Sequence, residues 1–297
     1  MQQKAMIGRP VIYGEVLFDH FPDGSAVLGG APFNVAWHLR GFGEEPLFIS
    51  RVGNDPAGRQ VRAAMVAWNL DTVGLQVDAD LPTGTVRIQL QDGNACFEIL
   101  PDQAYDDIAL TEWLEPRQAA LLYHGSLALR NSISRKTLED LIARTDAPVF
   151  FDVNLRSPWW HAADILHWVE RAEWVKLNHE ELELLYPAQT DIGQQAQEFL
   201  NRHALRGLLL TQGREGALLL TAAGTEHRIK PEGAIRVVDT VGAGDAFTAV
   251  FLLGYLRGWS LPLTLERAQE FASAIVGTRG ATVSDKAFYE SFRNDWR

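Results

Sequence analysis

The sequence has only one cysteine, Cys96, in 297 residues. A single thiol cannot form an internal disulfide, which excludes the disulfide-stapled class of secreted domains and favours a reducing compartment. Residues 1–10 lack the apolar core of a secretory signal, and the longest apolar helical segment, 246–256, is far shorter than the ~20 residues that span a bilayer. We therefore predict a cytoplasmic protein without a membrane segment, in which Cys96 is a small hydrophobic residue of the core.

Positive charge is also scarce. The 27 Lys and Arg residues are outnumbered by 38 Asp and Glu, a formal net charge of −11, which argues against binding nucleic acid by bulk attraction. The eight histidines show no H-x-x-x-H or H-E-x-x-H spacing, so a transition-metal site is not expected. The chain also lacks the G-x-S-x-G motif of a hydrolase, the dinucleotide fingerprint and the Walker lysine.

Hydrophobic residues make up 46% of the chain and charged residues 22%, as in an ordinary globular protein. Short apolar runs alternate with amphipathic segments, which predicts repeated β-α-β units. The predicted strands are 10–17, 45–52, 121–125, 149–153, 174–177, 207–211 and 217–221. The first predicted helix has Pro32 near its N1 position and runs to Leu39, and the others are 56–68, 134–144, 161–171, 180–186, 191–203 and 246–256. This alternation predicts an α/β fold with a mostly parallel sheet, and residues 1–297 can form it as a single domain.

Residues 83–100 follow a different pattern. Residues 85–90 alternate between apolar and polar side chains, Asp92-Gly93 is typical of a two-residue turn, and residues 96–100 are again largely apolar. This pattern predicts a β-hairpin. A hairpin that interrupts a helix–strand alternation rarely belongs to a parallel sheet, so we expect it to lie off the main body.

The most informative stretch is VDTVGAGDAF at 238–247, which has the pattern of a strand end, a small-residue turn and a helix start. Gly242 and Gly244 let the backbone approach a ligand closely. The unpaired amides and the macrodipole of the helix make an anion site there. Asp245 adds a carboxylate that can accept a proton. An anion site beside a proton acceptor is what phosphoryl transfer to an alcohol requires.

This stretch resembles the D-T-x-G-A-G-D signature of the PfkB (ribokinase-like) family of sugar kinases, and other segments resemble the family's motifs in the same order. Residues 29–34 (GGAPFN) resemble its G-G-x-x-x-N signature, and 152–156 (DVNLR) resemble the D-x-N-x-R of fructokinases and 2-keto-3-deoxygluconate kinases. The resemblance implies a ribokinase-like three-layer sandwich with a central, mostly parallel sheet and a small β lid. The lid segments would be about 14–28 and 83–100.

The resemblance also implies roles for individual residues. Asp245 would orient the sugar hydroxyl and accept its proton, while the amides of the turn stabilise charge on the transferring group. The turn residues are Gly242, Ala243 and Gly244. The residues implied to bind the sugar are Asp19, Gly29, Gly30, Asn34, Asn154 and Arg156. Carboxylate and carboxamide groups suit neighbouring sugar hydroxyls because they offer acceptors and a donor.

The implied cofactors are ATP, Mg²⁺ and a monovalent cation such as K⁺. Residues 178–181 (NHEE) resemble the family's N-x-x-E element, in which Glu181 would hold a water of hydrated Mg²⁺, and 211–216 (TQGREG) resemble its phosphate loop. The residues implied to bind the nucleotide are Asn178, Thr211, Gly213, Gly216 and Ser273, the last standing where many relatives have Asn. The residues implied at the monovalent-cation site are Asp239, Val241, Gly280 and Ser284.

The implied activity is ATP-dependent phosphorylation of a primary alcohol on a small sugar. D-Fructose is the favoured substrate because 29–34 and 154–156 look most like fructokinases; 2-keto-3-deoxygluconate kinase is the closest alternative, and ribokinase or adenosine kinase follow. A catalytically silent sugar- or nucleotide-binding regulator and a hydrolytic ATPase are alternatives of a different class. Asp245 argues against the first, and a closing lid against the second. Because an isolated hairpin is marginal, we also expect a homodimer with the two lids in contact.

Overall fold

The structure, a computed structural model, describes residue 6 and residues 8–91, 94–111, 119–231 and 237–296. Within that part the strands are β1 (Arg9–Tyr13), β2 (Leu17–His20), β3 (Ala26–Gly29), β4 (Leu47–Gly53), β5 (Leu75–Asp78), β6 (Gly84–Gln91), β7 (Asn94–Ile99), β8 (Ala119–His124), β9 (Val149–Asp152), β10 (Trp174–Asn178), β11 (Gly207–Thr211), β12 (Ala217–Thr221) and β13 (Glu226–Ile229). The α-helices are α1 (Ala31–Gly41), α2 (Pro56–Ala67), α3 (Ser132–Ala143), α4 (Ala162–Val169), α5 (His179–Leu185), α6 (Ile192–Arg202), α7 (Ala243–Arg257), α8 (Leu261–Val276) and α9 (Lys286–Asp295).

Nine strands form the main sheet, in the order β13-β12-β11-β10-β9-β8-β1-β4-β5. The pairs from β11 to β5 are parallel, and β12 and β13 add an antiparallel edge. Parallel strands that are covered on both faces are apolar along their length, which explains runs such as VFFD in β9 and GLLLT in β11. The predicted α/β fold with a mostly parallel sheet is confirmed.

Helices cover both faces of this sheet and give the molecule three layers. One apolar core lies beneath α1, α2, α7, α8 and α9 and includes Phe33, Phe251 and Phe271. The other lies beneath α3 to α6 and includes Leu138 and Phe199. α7 is buried on all sides over 246–256, because it also packs against α1 and α8. Within the described residues, no helix combines the length and apolar character needed to cross a membrane.

The predicted first strand, 10–17, is two strands in the structure. β1 ends at Tyr13, and Gly14 follows with a φ of 146°, a conformation that favours glycine. A Cβ at Gly14 would lie 2.5 Å from Cγ of Pro32. The chain then enters a second sheet at Leu17. The sequence conceals this break because residues 10–18 are buried without interruption on both sides of it.

β3-β2-β6-β7 form that second sheet, called here the small sheet. β6 and β7 are the arms of the predicted hairpin and run antiparallel, while β2 joins β6 in parallel. The predicted turn at Asp92-Gly93 lies outside the described residues. β3 begins at Ala26 and pairs with β2 in antiparallel register. Cys96 on β7 is exposed; its assignment to the core is wrong, because strand periodicity turns it outward opposite the exposed Gln89.

The parallel strands bring their carboxyl ends to one edge of the main sheet. There Asn178 at the end of β10 is paired with Thr211 at the end of β11. Asp152 at the end of β9 lies opposite Lys176 of β10. Ligands of open α/β sheets bind beyond this edge, which makes it the expected location of the functional site.

Candidate active site

α7 begins near this edge with a turn whose geometry depends on Gly242. Gly242 precedes the helix with a φ of 80°, in the left-handed region that favours glycine. A Cβ there would overlap Ala281. The carboxylate of Asp239 fastens the turn, since Oδ1 accepts a hydrogen bond from Val241 N at 3.0 Å and Oδ2 accepts one from Gly280 N at 3.2 Å. The turn and the loop that contains Gly280 and Ala281 therefore form one packed unit.

Asp245 lies in the first turn of α7, and α1 holds its carboxylate. Asn34 Nδ2 donates a hydrogen bond to Asp245 Oδ2 at 2.7 Å. Burial raises the pKa of the Asp245 carboxyl, and the hydrogen bond from Asn34 opposes that rise. The backbone amides of the same turn lack helical partners and favour an anion. The structure thus places a carboxylate beside an anion-binding turn, and Asn34 links both to the segment expected to contact the sugar.

The other residues expected at the sugar lie on the small sheet and at the start of α1. Asp19 is on β2, and a Cβ on Gly29 of β3 would lie 3.5 Å from Asp19 Oδ2. Gly30 connects β3 to α1, which carries Asn34. Burial raises the pKa of Asp19 to about 6. β2, β3 and α1 therefore bring these four residues together from one continuous segment of the chain.

Arg156 lies on the segment after β9, and its charge acts on three carboxyl groups. It lowers the pKa of Glu15, Asp19 and Asp245, in each case against a larger rise caused by burial. Burial raises the pKa of Glu15 to about 7. The Arg156 guanidinium is exposed and donates to the carbonyl of Leu155 at 3.0 Å. Within the described residues it has no salt bridge, so this cation faces the site without a carboxylate partner.

Glu181 connects the segment of Arg156 to the start of α5. Its Oε1 accepts a hydrogen bond from Leu155 N at 2.8 Å, and its Oε2 accepts one from Asn178 N at 2.8 Å. Asn178 Oδ1 in turn accepts from Glu181 N at 2.8 Å, which completes a capping box. Asn154, with a φ of 41°, begins the segment held in this way. Burial raises the pKa of Glu181, and the hydrogen bond from Asn178 opposes the rise.

The remaining residues expected at the nucleotide lie on two elements. Thr211 ends β11, and Gly213–Glu215 form a short 3₁₀ turn that Gly216 closes. Ser273 is half-buried on α8, whose last residue accepts a hydrogen bond from Asp239 N at 3.2 Å. α8 therefore leads from Ser273 to the segment before the turn at Gly242. The strand end predicted in that segment is wrong, because residues 237–242 form no strand and Val238 N and Asp239 N donate instead to the last carbonyl of α8.

The donors at the two expected cation sites fit their ions in different ways. Each carboxylate oxygen of Glu181 already accepts one backbone hydrogen bond and keeps a second lone-pair position. That arrangement fits a hydrogen bond from a metal-bound water, as hydrated Mg²⁺ provides. Asp239, with the backbone at Val241 and Gly280, offers oxygen donors, the ligand type of a hard cation. Ser284 is exposed farther along the same loop.

Sequence reasoning missed Lys176. Its Nζ lies 2.9 Å from both carboxylate oxygens of Asp152, and its side chain is 10% exposed. The hydroxyl of Thr248 lies 3.1 Å from Asp152 Oδ2 and 2.9 Å from the carbonyl oxygen of Gly244. A lysine inside the apolar strand WVKLN is the signal that could have identified it, because a buried cation requires a partner. Glu15, buried inside an apolar run, is a signal of the same kind.

Comparison with known proteins covers most of the chain. The family model of the pfkB family carbohydrate kinases matches residues 13–287. A fructokinase from Klebsiella pneumoniae is 33% identical over 263 residues, which are 84% of this chain and 85% of that protein. An aminoimidazole riboside kinase from Salmonella typhimurium is 33% identical over 250 residues, which are 80% of this chain and 77% of that protein.

A solved structure gives the same picture. A fructokinase double mutant from Vibrio cholerae O395, in its fructose-, ADP- and potassium-bound form, has a TM-score of 0.81 to this chain at 26% identity. The match covers 97% of this chain and 99% of that one. The likeness therefore extends over the small sheet as well as the main sheet.

Proposed function

The chain belongs to the pfkB family of carbohydrate kinases, and we propose that it transfers the γ-phosphoryl group of ATP to a primary hydroxyl of a small sugar, D-fructose first among them. The observation that carries this proposal is the hydrogen bond from Asn34 to Asp245. It joins the proton acceptor beside the anion-binding turn to the segment that carries Gly29 and Gly30.

Asp245 is proposed as the general base. Asn34 occupies Oδ2, which leaves Oδ1 to accept the hydrogen bond of the sugar hydroxyl. Sugar hydroxyls have pKa values far above neutrality, so the carboxylate orients the O–H and takes its proton as the new O–P bond forms and the bond to the ADP oxygen breaks. The amides at Gly242, Ala243 and Gly244 stabilise the charge on the transferring group.

The cofactors follow from the same arrangement. Asn178, Thr211, Gly213, Gly216 and Ser273 are proposed to hold the nucleotide along the edge of the sheet. Bound Mg²⁺ would neutralise charge on the β- and γ-phosphates, and Glu181 would hold it through water. Asp239, Val241, Gly280 and Ser284 are proposed to hold K⁺, which would supply positive charge where the segment before Gly242 meets the loop of Gly280.

Fructose is the first choice of acceptor because the predicted sugar residues are mostly neutral or acidic. Asp19, Asn34 and Asn154 offer acceptors and donors for hydroxyl groups. No cluster of cations suited to a phosphorylated sugar accompanies them in the described part of the site. The fructokinase relative supports this choice.

One observation favours a second acceptor. The Arg156 guanidinium is exposed and without a salt bridge in the described part of the chain. Its planar fork suits a carboxylate, such as that of 2-keto-3-deoxygluconate. Arg87 of the small sheet is less suitable because it lies 3.6 Å from Glu98 in an exposed pair.

A catalytically silent regulator and a hydrolytic ATPase remain as alternatives of another class. A protein that only binds sugar and nucleotide has no use for a carboxylate whose second oxygen is kept free beside the anion site. A hydrolase would not need the small sheet as a lid, because a lid excludes water. We propose instead that the small sheet closes over the sugar and that the enzyme works in the cytoplasm.

The test is ADP release measured with Mg·ATP over a panel of acceptors: D-fructose, 2-keto-3-deoxygluconate, fructose 6-phosphate and aminoimidazole riboside. We expect kcat/KM to be highest for fructose, with fructose 6-phosphate identified as the product by ³¹P NMR. If the keto acid is preferred by about tenfold or more, the choice of fructose is wrong, and Arg156→Gln should then raise KM for the keto acid selectively. ADP release that no sugar stimulates would overturn the kinase assignment itself.

A further inference from the structure

Lys176 and Asp152 form a buried ion pair on adjacent strands, at the edge of the main sheet where the parallel strands have their carboxyl ends. The two residues lie opposite each other in the parallel register of β9 and β10. Lys176 Nζ is 2.9 Å from both oxygens of Asp152, whose side chain is 1% exposed. A buried pair of this kind is often no more stabilising than apolar residues of similar volume. Its place beneath the catalytic turn indicates a task other than stability.

The pair is connected to the turn above it. A Cβ built on Gly244 would lie 3.5 Å from Lys176 Nζ, so the ammonium group lies directly under the backbone of the anion-binding turn. The Thr248 hydroxyl lies within hydrogen-bonding distance of both Asp152 Oδ2 and the Gly244 carbonyl. Tyr123 OH is 3.4 Å from the same carboxylate oxygen. The strand ends thereby support the first turn of α7 through one side chain of that helix.

We infer that Lys176 and Asp152 are positioning residues for phosphoryl transfer: through the contact of Lys176 with Gly244 and the hydroxyl of Thr248, they hold the first turn of α7 at a fixed height above the sheet and place two opposite charges beneath it. This inference rests on the proposed function, in which Asp245 accepts the proton of the sugar.

The charges around Asp245 come from several elements. Asn34 of α1 donates to it, and Arg156 after β9 favours its ionised form. The two members of the ion pair act on Asp245 in opposite directions: Asp152 raises the pKa of Asp245 and Lys176 lowers it. Glu15 after β1 and Tyr123 of β8 are titratable groups that also interact with it. Removing either member of the pair therefore leaves the other uncompensated.

The two single variants should shift Asp245 in opposite directions. Lys176→Met removes the cation and should raise the pKa of Asp245, whereas Asp152→Asn removes the anion and should lower it, each by about half a unit or more. The shift is measured in the free enzyme from the ¹³Cγ resonance of Asp245, and the acid limb of the kcat–pH profile should move with it. A residue that only braces the fold would lower Tm and leave both midpoints unchanged.

A second set of variants covers the case in which a single variant does not fold. The double variant Lys176→Met/Asp152→Asn keeps the volume and leaves no unpaired charge, so it should fold. We expect its kcat to fall about tenfold or more with little change in KM for sugar. Thr248→Val removes only the hydroxyl link and should lower kcat without moving the Asp245 midpoint.

The inference is overturned if the folded single variants titrate Asp245 as the wild type does, or if the double variant keeps kcat within about twofold of wild type. The NMR titration needs no substrate, so it tests the ion pair even if the acceptor panel shows no sugar phosphorylation. Failure of the panel alone would overturn the proposed function and leave the measured coupling between the pair and Asp245 intact.

Discussion

Asp245 and Asp164 hold the same place in two different helices, the first turn, where the macrodipole favours a negative charge. Asp164 lies in a partly exposed pair with Arg135 at 3.6 Å. Asp245 instead accepts a hydrogen bond from Asn34, and burial raises the pKa of its carboxyl. The difference between a surface carboxylate and the proposed general base therefore comes from the partners that the fold supplies.

Asp245→Asn keeps the shape of the side chain and removes its negative charge and its capacity to accept a proton. We expect kcat to fall by at least ~10²-fold, while the affinities for sugar and ATP change much less. Steady-state kinetics at saturating Mg·ATP and sugar measure the effect. Asp164→Asn is the matched control, the same substitution in the first turn of another helix, and should leave kcat unchanged. Retention of a large fraction of wild-type kcat by Asp245→Asn would refute the proposed mechanism.

His38 is a second residue whose behaviour depends on burial. It lies inside α1, with Nε2 at 3.0 Å from the Ala281 carbonyl and Nδ1 at 2.9 Å from Tyr289 OH. A carbonyl only accepts, so Nε2 carries the proton and Nδ1 is an acceptor for Tyr289 OH, which also lies 3.2 Å from the Val283 carbonyl. Burial lowers the pKa of His38 to about 4. The neutral ring thus connects α1 to the loop that packs against Gly242.

The lowered pKa predicts a loss of stability in acid. In the unfolded chain the ring gains a proton near pH 6.5, whereas in the folded chain it stays neutral until about pH 4. The stabilisation is therefore complete above pH 6.5 and is lost as the pH falls toward 4. Urea unfolding at pH 7.5 and pH 5 should show His38→Gln losing less stability than wild type, by about 2 kcal/mol. Equal losses in the two proteins would contradict this account.

At the scale of the element, the turn before α7 is limited by space as well as by backbone conformation. Gly242 and Gly224 have nearly equal φ values, 80° and 78°. A Cβ on Gly242 would overlap Ala281, whereas a Cβ on Gly224 would meet nothing within 4 Å. Comparing the two positions separates backbone strain from steric overlap.

Gly224→Ala should cost about 1–2 kcal/mol of unfolding free energy, the strain of a left-handed residue, and should leave kcat unchanged. Gly242→Ala carries the same strain and in addition displaces the loop at Ala281, so it should be the less stable variant. Because the anion-binding amides move with that turn, its kcat should fall by about tenfold or more. Urea unfolding and steady-state kinetics on both variants measure these effects. Equal kcat values for the two variants would mean that the loop at Ala281 shifts to accommodate the new Cβ and leaves the turn in place.

The sequence was sufficient to predict strands and helices whose apolar residues recur with a clear period. It was insufficient where a continuous buried stretch hides the boundary between two strands. The strands 207–211 and 217–221 match β11 and β12, because apolar runs bounded by polar residues have visible ends. The single predicted strand 10–17 missed the break at Gly14, where the chain leaves the main sheet and enters the small sheet. The position of Asp245 at a helix start follows from local spacing. Its bond to Asn34 does not, because those residues are 211 positions apart.

Lys176 shows the same limit within the site. A charge in an apolar strand signals a buried partner, but the sequence does not say which of 38 acidic residues supplies it. Asp152 becomes the partner only through the register of β9 and β10. Site residues that share one motif were therefore predictable, while those joined by sheet pairing required the structure.

At the scale of the whole molecule, the small sheet carries an apolar face that the body does not cover completely. Asp19 is paired with Val86 and with Val27, and Ile88 is paired with Phe97. Because side chains alternate along a strand, these residues share one face. Val27 is 37% exposed and Phe97 53% exposed. The face that holds Asp19 thus extends beyond the body, where a second small sheet could cover it.

We therefore expect a homodimer in which two small sheets meet through this face. Phe97→Asp should shift sedimentation at micromolar concentrations from dimer to monomer and raise KM for sugar, because a charge is costly in a buried apolar contact. Val66→Asp is the control: Val66 is 61% exposed on α2, away from this face, and its replacement should change neither quantity. A fully active wild-type monomer over the same range would rule the dimer out.

The small sheet is joined to the body at points that are each fastened. The break after Tyr13 packs on Pro32, Asp55 accepts hydrogen bonds from Thr83 N at 2.8 Å and Thr83 Oγ1 at 2.7 Å, and Arg130 donates to the carbonyl of Leu100 at 2.7 Å. Because these contacts hold one border of the small sheet against the body, the sheet can tilt about that border but cannot slide. Residues at its opposite, free border can be substituted without breaking these contacts. The architecture is therefore modular for engineering: under the proposed function, we expect substitutions on the outer part of the small sheet to change which acceptor is admitted and to leave the turn at Gly242, which belongs to the body, unaltered.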